Sequence, residues 1–122
     1  MQPVVHFELH SADLDKTLPF FEKIFGWKLN KWGGPHEYWL ATTAEPGTTG
    51  INGGIMRSMD GQQRTVNTIQ VPDVDEYVAK CVAAGGQNCV PKMPIPGVGW
   101  LAYCTDPSGV LFGLHTPDPS AK

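Results

Sequence analysis

Three ionisable side chains occupy alternate positions of one short stretch, VVHFELH at residues 4–10: His6, Glu8 and His10. Extended backbone sends alternate residues to opposite faces, so these three share one side while Val5, Phe7 and Leu9 take the other. Histidines exchange protons near neutral pH, and burial and imidazolium charge tune a neighbouring carboxylate in opposite directions. Glu8 is therefore the general-base candidate, with His6 and His10 as catalytic partners. The same residue types also ligate metals. Same-face neighbours on a strand are roughly 6.6 Å apart, so an adjacent pair could share an ion. His6 and His10 stand roughly 13 Å apart on a straight strand and cannot meet on one ion without a bulge. A solvated sheet face would show the same alternation.

Aromatic residues could supply surfaces for a flat organic ligand: Tyr38 and Trp39 in HEYWLATT at 36–43, and Trp100 and Tyr103 in GWLAYCT at 99–105. Arg57 could receive an anionic group. His36, in the turn GGPHEY, reads as a surface residue. The segment PKMPIPGVG before Trp100 holds three prolines and two glycines in nine residues, and reads as a stiff loop able to form a rim.

The elements that must position these residues can be read from periodicity. After the opening strand, Asp13 can cap a helix in which Leu14, Leu18, Phe21 and Phe25 recur with helical spacing and which Gly26 ends; Pro19 falls inside it. Extended pieces follow at 27–32, 36–43 and 51–58. The order then repeats: RTVNTIQV at 64–71 is a strand, and DVDEYVAKCVAAGG is a helix with Asp73 and Glu76 as a capping box and Gly85-Gly86 as its stop. Strands at 87–92, 99–105 and 109–115 complete the chain, the last two joined by the turn DPSG. Asp13 and Asp73 are 60 residues apart, as are Gly26 and Gly86, which argues for a duplicated strand-helix-three-strand unit over about 3–58 and 64–116. The expected fold class is α+β: two βαβββ units in a single domain, residues 1–122.

Composition narrows the function classes. A chain of 122 residues, 41% hydrophobic, suits one core, with Thr116 to Lys122 the candidate disordered tail. A net charge of −3 with no basic run argues against nucleic-acid or anionic-membrane partners. Cys81, Cys89 and Cys104 are odd in number and lack C-x-x-C spacing, so buried thiols in a reducing compartment are expected. No basic region followed by an apolar run opens the chain and no stretch reaches the ~18 apolar residues of a membrane span, so a cytoplasmic location is expected.

Three segments, HFELHSADLDKTLPFFEKIFGW, VPDVDEYVAK with its AGG stop, and DPSGVLFG, resemble the vicinal oxygen chelate (VOC) superfamily of glyoxalase I, extradiol dioxygenases and bleomycin-resistance proteins. FGWKLNKWGGPHEYWL, INGGIM and PKMPIPGVGWLAYCTDPSG resemble its glyoxalase-related branch more narrowly. The resemblance implies that each unit curls its sheet into half of a cup with the helices outside, and that the protein pairs as a homodimer. It places the first metal ligand of the family at His6 and the other three at about Gly53, Val66 and Gly113, which offer no donor side chain. No cofactor is therefore expected, with a divalent metal the less favoured reading. Alternation then puts Val66, Thr68 and Gln70, Leu111, Gly113 and His115, and Ile51, Gly53, Ile55 and Arg57 towards the cup beside Glu8. The expected partner is a small-molecule ligand. The leading reading is a lyase-like or isomerase-like enzyme acting on a small carbonyl or aromatic metabolite, distinct from authentic glyoxalase I and extradiol dioxygenase. The alternative is a non-catalytic protein that sequesters a small molecule, as in bleomycin resistance.

Overall fold

The computed structural model describes residues 1–34 and 37–122, so His36 lies outside the described residues. The elements run β1 (Val4–Ser11), α1 (Leu14–Phe25), β2 (Lys28–Lys31), β3 (Tyr38–Thr42), β4 (Gly53–Arg57), β5 (Arg64–Gln70), α2 (Val74–Ala83), β6 (Gln87–Ile95), β7 (Gly99–Thr105) and β8 (Leu111–Pro117). This is the expected α+β chain, with βαβββ order run through twice.

Two compact units divide it. In His6–Val66, β2 pairs with β3 and β3 with β4 antiparallel, while β4 runs parallel to β1. The helix covers one face of this mixed sheet: Leu14, Ala41 and Ile55 form its buried centre, with Leu9, Leu18, Trp27, Leu29 and Trp39 packed around them. In the second unit, Met1–Val5 with Asn67–Lys122, β5 runs parallel to β8, and β8, β7 and β6 follow antiparallel. Its core is Val71, Val74, Ala102, Cys104 and Leu114, flanked by Tyr77, Val78, Cys81 and Trp100.

The helices start where the sequence says and stop differently. Asp13 accepts from the Lys16 amide, and Asp73 from the Asp75 and Glu76 amides, each satisfying helix-end donors that would otherwise be orphaned. Glu76 turns its carboxylate to Lys80 Nζ at 3.8 Å instead of completing a reciprocal box. Gly26 closes α1 at φ 71°, whereas Gly85, at φ 97°, takes the left-handed position after the shorter α2, and Gly86 N–H reaches back to the Cys81 carbonyl at 2.8 Å. The offset of 60 thus holds at the helix starts and becomes 59 at the left-handed glycines.

Three expectations are corrected in the second unit. The proline-rich segment is strand as far as Ile95: β6 is the edge strand of this unit, its register slips between Asn88 and Val90 and between Val90 and Met93, with Pro91 inside the second slip, and an edge strand, laddered on one side only, tolerates Pro94 opposite Trp100. The tail is ordered: Ala121 is buried, its carbonyl accepts from Gly97 N–H, and Asp118 N–H bonds the Val98 carbonyl. Of the cysteines, Cys104 is buried and Cys81 half-buried, but Cys89 is exposed because it falls in the first register slip of the edge strand.

Candidate functional site

The parallel β1–β4 ladder decides which residues can meet. Phe7 pairs with Gly53, Glu8 with Gly54, Leu9 with Ile55 and His10 with Met56. Paired residues in a ladder project to the same side. Gly53 and Ile55 therefore lie on the helix side with Phe7 and Leu9, and a Cβ at Gly53 would run into the Phe7 ring. The expected lining from β4 is thus off by one residue, and Gly54 and Met56 are the β4 residues on the Glu8 face. On β3, Tyr38 opposes Met56 and shares that face, whereas Trp39 opposes Ile55 and packs into the helix-side core. Trp39 is corrected accordingly: its ring is core. Among the described residues its buried Nε1 has no hydrogen-bond partner. Arg57 belongs to the helix-side register with Ser11 and is committed elsewhere, donating from Nε to Glu37 Oε2 at 2.9 Å on an exposed edge.

On the other face His6, Glu8 and His10 are brought together with Tyr38 by a hydrogen-bonded chain. His10 Nε2 lies 3.1 Å from Glu8 Oε1, and the Tyr38 hydroxyl donates to Glu8 Oε2 at 3.1 Å. With its single proton given to the carboxylate, the phenol oxygen accepts from His6 Nε2 at 2.9 Å, which makes Nε2 the protonated nitrogen of a neutral His6. Glu8 is 3% exposed and His10 9%. A buried carboxylate tolerates this only because charge-assisted donors surround it. Burial holds His6 below the ordinary histidine value, partly offset by the Glu8 charge. It also raises the Tyr38 phenol far above its usual value, reinforced by the Glu8 charge and the bond to it, so the phenol keeps its proton at any physiological pH.

Tyr38 is the member that side-chain chemistry at the opening strand did not single out. Its signal was cross-strand: a tyrosine alternating with a core tryptophan, on a strand paired with one that carries two adjacent glycines. A Cβ at Gly54 would overlap the Tyr38 hydroxyl, so glycine there is what lets the phenol lie between His6 and Glu8.

Within the second unit, Thr68 pairs with Gly113 and Gln70 with His115 on β5–β8, and Tyr103 and Leu101 join Gly113 and His115 from β7. Thr68, Gln70, Tyr103 and His115 therefore share one face, Thr68 being buried. Trp100 alternates to the helix side with Ala102 and Cys104, away from the face of Tyr103 and His115, and its Nε1 donates to Asp118 Oδ2 at 3.0 Å.

Residues 4–114 match the family described as Glyoxalase/Bleomycin resistance protein/Dioxygenase superfamily. The chain belongs to this superfamily. Among curated proteins it is 32% identical over 111 residues to "Putative glyoxylase CFP32" of Mycobacterium tuberculosis, a match covering 88% of this chain. The chain spans 42% of the length of that relative. Among solved structures, methylmalonyl-CoA epimerase from Mycobacterium tuberculosis superposes with a TM-score of 0.68 at 18% identity, over 95% of this chain and 88% of the epimerase. The Mn(II)-bound glyoxalase from Novosphingobium aromaticivorans gives 0.68 at 18%, over 99% of this chain and 41% of that one. A variant Streptomyces coelicolor methylmalonyl-CoA epimerase in complex with 2-nitronate-propionyl-CoA gives 0.71 at 15%, over 100% and 99%. These are likenesses of fold.

The superfamily includes metal-bound members, and the donors of this VOC chain do not fit that arrangement. A divalent ion wants three or more protein donors. His6 Nε2 is taken by Tyr38, Val66 and Gly113 have no donor side chain, and the β4 residue on the right face is Gly54. Among the described residues no three His, Cys, Asp or Glu side chains are grouped to hold an ion.

Proposed function

We propose that this VOC protein binds a small organic metabolite against the Glu8 face of the His6–Val66 unit and moves a proton at a carbon next to a carbonyl, as an isomerase-like or lyase-like enzyme without a metal step. The observation that carries this is the Glu8 carboxylate, shielded from water and held at both oxygens by Tyr38 and His10. A carbon acid is a weak acid, and a desolvated, oriented carboxylate is the base able to take its proton. The superposed epimerases support the reading, since epimerisation at a carbon beside a carbonyl proceeds by removing and returning that proton.

A homodimer is proposed together with this reading. On α1, Phe20, Ile24 and Phe25 are more than half exposed, and the residues 60 positions later are Lys80, Ala84 and Gly85, so the fold itself does not require that apolar surface. A cytoplasmic location is likewise proposed; no helix among the described residues is long and apolar enough to cross a membrane.

Solvent deuterium exchange tests the reading directly. The protein is incubated in deuterated buffer with methylmalonyl-CoA, propionyl-CoA and dihydroxyacetone, and the substrate carbon is followed by NMR. At least one probe should exchange with the wild type and none with Glu8→Gln, while binding of that probe survives. A wild type that binds a probe and leaves every carbon proton in place would instead be a sequestering protein.

A further inference from the structure

The Tyr38 hydroxyl stands between His6 Nε2 at 2.9 Å and Glu8 Oε2 at 3.1 Å, within hydrogen-bond reach of both. A phenol oxygen thus bridges an imidazole and a carboxylate. We propose that this hydroxyl is the catalytic electrophile of the site: it leaves Glu8, donates to the carbonyl oxygen of an enolisable substrate, and so uncovers the carboxylate that takes the α-proton.

The inference rests on the proton-transfer reading above and assigns its second half. In the forward step the substrate C–H bond breaks and its proton goes to Glu8 Oε2. The carbon electron pair forms the C=C bond, and the carbonyl π pair moves onto oxygen. The resulting enolate oxygen is held by Tyr38 O–H, itself polarised by the His6 Nε2–H bond. Return of a proton from Glu8 to the carbon regenerates the carboxylate, so no oxidant or co-reactant is consumed. Two features of this chain serve that role: the Gly54 backbone leaves room for the phenol, and the His6 contact at 2.9 Å holds its oxygen beside the carboxylate.

The experiment is Tyr38→Phe, which retains the ring over Gly54, with Glu8→Gln measured alongside and thermal melting of both as the control for folding. On whichever probe the wild type exchanges, Tyr38→Phe should lower kcat by about 10²–10³-fold with KM nearly unchanged, the loss expected for one donor to a developing oxyanion. If Glu8→Gln is inactive while Tyr38→Phe stays within threefold of the wild type, or if only KM changes, the assignment of Tyr38 is overturned and the proton-transfer reading stands. If the wild type exchanges none of the probes, both fall together.

Discussion

Gly54 and Tyr38 are a matched pair: the glycine on β4 has no side chain where the phenol of β3 crosses above it, and a Cβ there would overlap the hydroxyl. Gly54→Ala should therefore push Tyr38 off both His6 and Glu8 and cost about 1–3 kcal/mol, the usual penalty for overpacking a filled site. Gly33→Ala is the control, because a Cβ at that position meets nothing within 4 Å. Urea unfolding of the two variants checks the difference, and an unchanged midpoint for Gly54→Ala would show that the phenol has another resting place.

The His6 environment makes a pH prediction. Burial lowers its proton affinity in the folded state, so below about pH 6.5 the unfolded chain takes up a proton that the native chain resists. The stability linked to His6 is therefore fully present above about pH 6.5 and is lost as pH falls from there towards the native value. His6→Gln should flatten that part of the curve. Unfolding midpoints of wild type and variant at about pH 7.5, 6.5 and 5.5 test it; parallel curves would mean that His6 titrates normally.

The order of elements was legible because it is local. Asp13 and Asp73 cap, Gly26 and Gly85 stop, and alternation marks the strands. The extent of β6 was not, because proline excludes a central strand but not a bulged edge, and edge position is a property of the whole sheet. The site was half legible for a related reason. Alternation alone put His6, Glu8 and His10 on one face, yet which residues of β3 and β4 join them depends on cross-strand register. A one-residue slip exchanges Gly53 for Gly54 and Trp39 for Tyr38. The place that the phenol takes above Gly54 was visible in the sequence only as a missing side chain, and a glycine gives no sign of what lies over it.

That register can be tested by stability alone. Ile55 is fully buried on the helix side, in the cluster with Leu14 and Ala41, whereas its neighbour Met56 lies on the Glu8 face opposite Tyr38 and is only half-buried. Truncating Ile55→Ala removes packed core volume and should cost about 2–5 kcal/mol. Met56→Ala should cost well under half of that, since a flexible and partly accessible side chain leaves a smaller void behind. Paired denaturant titrations give both values. A reversed order would move β4 by one residue, return Gly53 and Ile55 to the Glu8 face, and remove the space in which Tyr38 reaches the carboxylate.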